Sequence, residues 1–330
     1  LNLMKTITKL SIAIIIFTIL SCSNNDSSNT DETNVTVKDI YVCGYEQKTS
    51  GGTRIATVWK NGIAMNLTDG SKNAEVRDIT VSGNDVYAVG SEDDINGTDR
   101  ARFWKNGVLV NLVNSQSESV ANLVEVIGKD VYIIGQEYEN NLSVRKIWKN
   151  GVASTLQGNI NSIAVNNNDV FTAGSQDNTA KFWKNGEGYF LTNGASYSSA
   201  YDIEVKGNDI YIVGEEMNNI SVAKLWKNGN ASNLSDGNYS NVATDISITG
   251  DDVYVLGYEN NKGTKYKLWK NGEVIWSKEN FIVNALKVVG KDFYMLSNSG
   301  YISKIVKNGV PENLSSAVNS YAYELFITTN

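Results

Sequence analysis

Hydrophobic residues in this chain come in short runs that alternate with polar residues and are separated by turn-forming residues. Residues 76–112 show the pattern, reading VRDITV, SGND, VYAVG, then ARFWK, NG and VLVNL after a polar stretch. A period of two residues is typical of a strand with one buried face. We therefore predict four short strands here, at 76–81, 86–90, 101–105 and 108–112.

The same unit occurs seven times. The phrase DVYAVG at 85–90 returns with small changes, and its aspartate stands at positions 39, 85, 130, 169, 209, 252 and 292. Intervals of 39 to 46 residues fit four strands with their turns, which is one blade of a propeller. The first unit lacks its first strand, and a lone strand, 323–327, ends the chain. The sequence predicts an all-β, seven-bladed β-propeller over residues 35–330, with four-stranded blades and a ring closed by the C-terminal strand in the first blade.

A second phrase, WKNG at 104–107, accompanies the first in each unit, with valine replacing tryptophan in the last. Asn-Gly between two apolar runs predicts a type I′ hairpin turn, which requires positive φ at both central residues. Phe103 and Trp104 should point to opposite faces of their strand and be buried between blades. The repeated Lys and Asp should share one face of the ring, where Asp caps turn amides and Lys forms weak ion pairs.

Composition narrows the function. Hydrophobic residues make up 41% of the chain, so a large core is possible, and the net charge of −7 disfavours nucleic acid as a partner. The absence of histidine removes the most common general base and a common metal ligand. We expect a monomer without a cofactor.

The N-terminal residues have the pattern of an export signal followed by a polar tether. Lys5 and Lys9 precede an apolar run, 12–20, that is too short to span a bilayer, and Ser21-Cys22 follows. The join ILSC resembles a lipobox, which implies a signal peptide at 1–21, lipid on Cys22 and a polar tether at 22–34. The polar run after Cys22 resembles surface lipoproteins of Bacteroidota, so we expect a chain held by lipid alone at the outer membrane or cell surface. The alternative is an ordinary signal peptide with an incidental cysteine.

Repeated residues indicate scaffold, so a site is expected where the copies differ. The loops after the DVYxxG strand vary in length and sequence, and they should form one face of the ring with the starts of the innermost strands. Candidate ligand-binding residues at this mouth of the channel are Arg77, Asp78, Tyr201, Asp202, Asp245, Tyr323 and Glu324. If these acids only bind ligand, replacing Asp202 and Asp245 with alanine should leave the melting temperature nearly unchanged. The alternative is a solvated channel.

Calcium is a secondary possibility. Asp94, Asn96 and Asp99 have the acidic rhythm of part of a calcium loop, although the downstream glutamate of the full motif is absent. Carboxylates that converge on the channel mouth could also hold Ca²⁺ through their oxygen atoms.

The repeat resembles short extracellular propellers in which a DVYxxG strand precedes a WxNG strand. That resemblance implies the fold and says little about activity, since such propellers host unrelated functions. The main hypothesis is a binding module for a glycan or a protein partner. One alternative is a glycosidase or lyase that uses mouth carboxylates and tyrosine, although we assign no catalytic residue. Another is a structural or assembly scaffold of the outer membrane.

Overall fold

The structure is a computed structural model that describes residues 35–110, 112, 117–140, 142–315 and 317–330. Seven four-stranded antiparallel sheets form a seven-bladed β-propeller, and the described residues contain no helix. The predicted fold class is therefore confirmed. The predicted signal peptide, the tether and Cys22 lie outside the described residues. Within the described part of the chain, no helix is long and apolar enough to cross a membrane.

Each blade is ordered from strand a at the channel to strand d at the rim. The strands a of blades 1 to 7 are β28 (Asn319–Thr329), β4 (Ala74–Ser82), β8 (Ser119–Ile127), β12 (Asn159–Asn166), β16 (Ser198–Lys206), β20 (Ser240–Thr249) and β24 (Val283–Val289). The strands b are β1 (Val37–Gln47), β5 (Asp85–Asp93), β9 (Asp130–Glu139), β13 (Asp169–Gln176), β17 (Asp209–Asn218), β21 (Asp252–Asn260) and β25 (Asp292–Ser297). The strands c are β2 (Ile55–Lys60), β6 (Asp99–Lys105), β10 (Leu142–Lys149), β14 (Thr179–Lys184), β18 (Ile220–Lys227), β22 (Thr264–Lys270) and β26 (Lys304–Lys307). The strands d are β3 (Ile63–Asn66), β7 (Val108–Val110), β11 (Val152–Thr155), β15 (Glu187–Phe190), β19 (Asn230–Asn233), β23 (Glu273–Glu279) and β27 (Val310–Asn313).

The two ends of the propeller meet in blade 1. Strand β28 pairs antiparallel with β1, with Ile327 opposite Ile40 and Leu325 opposite Val42. This is the predicted closure, and β28 extends beyond the predicted 323–327. Because β28 pairs with β1, the inner edge of β1 is covered by the C-terminal strand.

The recurring WKNG corner is the predicted type I′ turn. In all seven copies both Asn and Gly have positive φ, as at Asn106 (52°) and Gly107 (79°). The asparagine side chain also fixes the neighbouring turn. Its Oδ1 accepts the amide N–H of the residue after the repeated aspartate at 2.8 to 2.9 Å, and its Nδ2 donates to that aspartate at 2.7 to 2.8 Å.

The expectation that aspartate caps the turn amide was wrong, because asparagine takes that amide. The aspartate instead receives the lysine of WKNG, and the seven Nζ–Oδ2 distances are 2.7 to 2.9 Å. This face of the ring therefore carries seven near-identical Lys–Asp–Asn clusters. We call it the turn face, and the opposite face, made by the b–c and d–a connections, the loop face.

In six blades the glycine that ends DVYxxG lies opposite a β-bulge in strand a. In each blade one extra residue interrupts the pairing of strands a and b, as Arg77 does between Val76 and Asp78. The bulge brings the backbone carbonyl group of strand a close to strand b. In blade 2, a Cβ added at Gly90 would overlap the Glu75 carbonyl oxygen. Five other blades have the same arrangement, and Ser297 replaces the glycine in blade 7.

The core lies between the blades. Phe103 and Trp104 are 9% and 2% exposed and contribute to different interblade clusters, as the alternation predicted. The other five tryptophans of the repeat are equally enclosed, at 0 to 6% exposure. A ring of tryptophans available to a ligand is therefore absent from these positions, and the repeat serves the packing of the blades.

Candidate functional site

The bulges determine what lines the channel. In each blade the extra residue lies at the loop-face mouth, and in six blades the next residue lines the channel, whereas Ala285 of blade 7 is part of the core. The extra residues are Arg77, Asn122, Asn161, Tyr201, Thr244, Asn284 and Tyr323. The residues that follow them are Asp78, Leu123, Ser162, Asp202, Asp245, Ala285 and Glu324. Five of the seven sequence-predicted ligand-binding residues, Asp78, Tyr201, Asp202, Asp245 and Glu324, line a channel of about 430 Å³. The other two, Arg77 and Tyr323, are bulge residues beside its mouth.

Three of the predicted carboxylates connect neighbouring blades. Asp78 accepts the backbone N–H of Val124 at 2.7 Å, and Asp245 accepts that of Leu286 at 2.7 Å. Asp202 accepts the N–H of Ile246 at 2.9 Å in the same way. These amides lie on the inner edge of strand a, where no further strand pairs with them. The carboxylates therefore close the inner edge of the next blade.

These bonds change the expected effect of mutation. Asp202 also accepts hydrogen bonds from Ser162 Oγ at 2.5 Å and from the N–H of Ile203 at 2.8 Å. Removing it together with Asp245 would leave backbone amides without acceptors, at about 1–3 kcal/mol for each buried group. The structure thus predicts a loss of stability, contrary to the expectation that the melting temperature would stay nearly unchanged.

A second ring of channel residues was missed in the sequence analysis. One alternation further along strand a, the channel side carries Glu125, Glu204 and Lys287. Burial raises the pKa of Glu125 and that of Glu204 to about 7, against the pull of the Lys287 ammonium. The signal was available, because these positions lie two residues after Leu123, Asp202 and Ala285 and share their face of the strand.

Lys287 is the counter-charge of this channel. Burial disfavours its ammonium, but Glu324, Asp245, Asp202 and Glu204 surround it and together raise its pKa above the ordinary value. Burial also raises the pKa of Asp78, Asp245 and Glu324. The channel therefore holds more carboxyl groups than one ammonium can balance, and Asp78, Glu125, Glu204, Asp245 and Glu324 retain protons to higher pH than free carboxyl groups do.

The mouth itself contains a charged cluster that bridges blades. Glu75 is 3% exposed, and its carboxylate receives Arg54 Nη1 at 2.8 Å and Arg77 at 2.8 Å. Tyr323 Oη of blade 1 donates to the same carboxylate at 3.0 Å. Arg77 also reaches blade 3, where it donates to Asn122 Oδ1 at 2.9 Å. Arg77 and Tyr323 are thus held in fixed positions beside the opening.

An aromatic cluster adjoins this charged cluster. The Tyr45 and Tyr321 rings are nearly parallel, with centroids 6.0 Å apart, and the Tyr321 and Tyr323 centroids are 4.9 Å apart. The Arg54 guanidinium lies 5.6 Å from the centroid of Tyr45. Asn284 Nδ2 donates to Tyr321 Oη at 3.2 Å. These groups combine flat apolar faces with polar edges.

A second such cluster lies in blades 5 and 6. Tyr201 Oη donates to the buried Glu215 at 2.6 Å, and burial followed by this bond raises the tyrosine pKa. The Tyr258 and Tyr266 rings lie 5.7 Å apart in blade 6. Most of the 17 tyrosines of the chain belong to the loop face. They are Tyr45, Tyr138, Tyr197, Tyr201, Tyr239, Tyr258, Tyr266, Tyr301, Tyr321 and Tyr323.

The acidic loop of blade 2 is closed by its own bonds. Asp94 accepts the N–H groups of Asn96 at 2.7 Å and of Thr98 at 3.1 Å, and Arg100 binds its other oxygen at 2.6 Å. Arg100 first, and then these amides, lower the Asp94 pKa to about 2. Asp99 pairs with Asp93 across the strands. Among the described residues, no group of three or more His, Cys, Asp or Glu side chains could hold a metal ion.

Comparison with known proteins supports the fold class. No protein-family model matches the sequence, and no curated protein matches it significantly. Among solved structures, the chain is similar to a puromycin-hydrolyzing peptidase of Mycobacterium tuberculosis, with a TM-score of 0.61 and 11% identity over 85% of this chain and 52% of that one. It is also similar to an acylaminoacyl peptidase of Pyrococcus horikoshii, with a TM-score of 0.55 and 11% identity over 86% of this chain and 51% of that one. The chain spans about half the length of either peptidase, and such low identity shows the fold alone.

Proposed function

We propose that this propeller is a binding module that holds a glycan or a protein partner on its loop face. The observation that carries the proposal is the contrast between the two faces. The turn face repeats one Lys–Asp–Asn cluster seven times, whereas the loop face gathers tyrosines beside fixed arginine, glutamate and asparagine groups at the channel mouth. Tyrosine is enriched at interfaces because a rigid ring offers contact area at small entropic cost, and its hydroxyl can bond.

A glycan suits the mouth best. Tyr45 and Tyr321 offer ring faces for the apolar side of a sugar, and Arg77 and Asn284 offer donors for its hydroxyl groups. A protein partner would use the same residues as aromatic anchors. A carbohydrate-active enzyme is less well supported, because Asp78, Asp202 and Asp245 already accept backbone hydrogen bonds between blades.

Lipid attachment at Cys22 is a separate part of the proposal. The supporting observation is the sequence ILSC at 19–22, which follows an apolar run and precedes a polar tether. We expect the anchored propeller at the outer membrane or cell surface. Metabolic labelling with an alkyne fatty acid should mark the wild-type chain and fail to mark Cys22→Ser. Labelling of Cys22→Ser would contradict the proposed anchor.

The binding proposal is tested with a glycan array, followed by titration of any glycan that binds. Tyr321→Ala should weaken binding about tenfold, because it removes a stacking ring and a hydroxyl. Tyr189→Ala is the matched control, since Tyr189 is 41% exposed on the outer strand β15, away from the mouth. Repeating the titration with Ca²⁺ and with EDTA tests the calcium prediction.

The outcomes separate the alternatives. Equal binding by the Tyr321 and Tyr189 variants would reject the loop face as the site. Product formed from a bound glycan would favour the enzyme. An array without any bound glycan, together with a protein partner whose binding Tyr321→Ala weakens, would support the protein-binding form. An outer-membrane scaffold would show a partner whose binding no loop-face variant affects.

A further inference from the structure

A second cavity lies away from the channel, on the outer wall between blades 3 and 4. It has a volume of about 660 Å³, which is within the range of small-molecule sites. Ile147 and Leu156 form its blade 3 side, and Val170 and Trp183 form its blade 4 side. The interblade cluster at this junction contains three buried residues, Ile134, Ile160 and Trp183, whereas the junction between blades 2 and 3 contains nine.

Blade 4 departs from the repeat at positions that line this cavity. In the other blades that have the strand c tryptophan, its cross-strand partner in strand d is a residue larger than glycine. These partners are Ala64, Leu109, Ala153, Ala231 and Val274. In blade 4 the partner of Trp183 is Gly188. Thr172, also in the lining, replaces the residues Ile133 and Ile212 of the neighbouring blades.

A third departure changes the charge of the cavity. Two residues before the tryptophan, blades 2, 3, 5 and 6 carry a cation that pairs with a glutamate of strand b. The pairs are Arg102–Glu92 at 2.8 Å, Lys146–Glu139 at 2.7 Å, Lys224–Glu216 at 2.7 Å and Lys267–Glu259 at 2.6 Å. In blade 4 the cation is Lys181, but Gln176 takes the glutamate position and accepts its hydrogen bond at 2.8 Å. Among the described residues, no carboxylate pairs with Lys181.

The position of Lys181 makes this cation available to a ligand. Its Nζ lies 5.2 Å from the centroid of Trp183 and 4.5 Å from that of Phe190, and Gly188 leaves the space that its chain occupies. In blade 7 a neutral residue, Ser299, likewise takes the glutamate position, but Lys304 of that blade does not line this cavity. Blade 4 thus combines a cation that lacks its glutamate with an apolar slot.

We propose that the slot binds a small aromatic carboxylate, with the ring between Ile147 and Trp183 and the carboxylate at Lys181 Nζ. Charge complementarity and shape support this ligand class together. A carboxylate supplies the partner that Glu216 supplies to Lys224 in blade 5, and a flat ring matches the apolar lining formed by Ile147, Leu156 and Trp183. The site is independent of the loop-face proposal, because none of its residues lies at the channel mouth.

Gln176→Glu is the most informative variant, because it restores the pair found in the other blades. Naphthalene-2-carboxylate is titrated into the purified full chain by isothermal titration calorimetry, with naphthalene-2-carboxamide as the neutral probe. The carboxylate should bind wild type at least tenfold more tightly than the carboxamide. Gln176→Glu should abolish this preference and keep the melting temperature, since the introduced carboxylate would pair with Lys181.

Two further variants complete the test. Lys181→Gln should weaken the carboxylate at least tenfold, and Lys224→Gln, which breaks a closed pair in blade 5, should not. Tyr321→Ala should have no effect, which separates this site from the channel mouth. The proposal is overturned if the carboxylate does not bind at millimolar concentration or binds no more tightly than the carboxamide. It is also overturned if Gln176→Glu keeps the preference, or if Lys224→Gln loses as much affinity as Lys181→Gln.

Discussion

The channel carboxyl groups should make this propeller more stable in mild acid than at slightly alkaline pH. Burial raises the pKa of Glu125 and of Glu204 to about 7, from an ordinary value of 4.5. Between these two values the folded chain binds more protons than the unfolded chain does. Stability therefore falls as pH rises from 4.5 to about 7 and then levels off. The raised pKa values of Asp78, Asp245 and Glu324 act in the same direction.

The size of the effect follows from the pKa difference. For Glu204, the step from 4.5 to about 7 corresponds to about 3 kcal/mol, at 1.36 kcal/mol for each pH unit. Glu125 adds a contribution of the same order. In a domain of this size a change of 1 kcal/mol moves the melting temperature by about 2 °C. We expect the melting temperature to be about 5 to 10 °C higher at pH 5 than at pH 8.

The turn-face aspartates and Lys287 do not change their protonation between pH 5 and pH 8. The turn-face aspartates, such as Asp85, have a pKa below the ordinary 3.8, because Lys105 and then Asn106 bind them, so they stay ionised from pH 5 to 8. The raised pKa of Lys287 keeps it charged over the same range. The chain contains no histidine. A slope in this window therefore reports on the channel.

The assay is thermal unfolding followed by circular dichroism at pH 5, 6, 7 and 8 in constant ionic strength. Glu204→Gln keeps an acceptor for the Ile248 amide, which Glu204 now binds at 2.9 Å, but it cannot titrate. This variant and Glu125→Gln should each flatten the slope, and together they should flatten it further. Glu312→Gln, on the exposed strand β27, is the control and should keep the wild-type slope. Equal or greater wild-type stability at pH 8, or a double variant whose slope equals that of wild type, would refute the reasoning.

Two further predictions concern the scaffold. Gly90→Ala should destabilise the fold by several kcal/mol, because the new Cβ would overlap the Glu75 carbonyl oxygen, whereas Gly263→Ala meets no atom within 4 Å and should have little effect. Equal denaturant midpoints for the two variants would contradict the close approach. Asp245→Ala should cost about 1–3 kcal/mol by orphaning the Leu286 amide, and Asp245→Asn should recover part of this loss. Chemical denaturation measures both, and an Asp245→Ala midpoint equal to wild type would show that the amide finds another acceptor.

Much of the fold could be predicted from the sequence because the repeated residues determine the turns and the buried faces of the strands locally. Asn106-Gly107 demands a type I′ turn wherever it occurs, and the alternation around Trp104 determines which side chains face the neighbouring blades. The same strand pairing brings Glu92 to Arg102 and Glu216 to Lys224, at 2.8 and 2.7 Å. Ring closure required one further step, since the strand missing from the first unit had to come from the end of the chain.

The bulge was not predictable in this way. One extra residue per inner strand separates the mouth residues, such as Arg77, from the channel residues, such as Asp78. No residue type marks the bulge, because arginine, asparagine, tyrosine and threonine all occupy it. In six blades a glycine lies opposite the bulge, but blade 7 has the bulge with Ser297 in that position. Residues at the mouth could therefore be predicted from the sequence, but those free to meet a ligand could not be separated from those bonded between blades.

The positions of the acids explain why the mouth, and not the channel, is the better candidate for recognition. A carboxylate that accepts the amide of the next blade, as Asp78 accepts that of Val124, cannot turn to a ligand without breaking the bond. Deeper acids such as Glu204 lie around Lys287 and have raised pKa values. In their ionised form they balance the Lys287 ammonium inside the channel. The groups at the mouth differ in this respect. Glu75 fixes Arg77 and Tyr323 in place, and each retains a part of its surface exposed to the loop face. Recognition can therefore vary there between propellers while the bonded acids keep the ring closed.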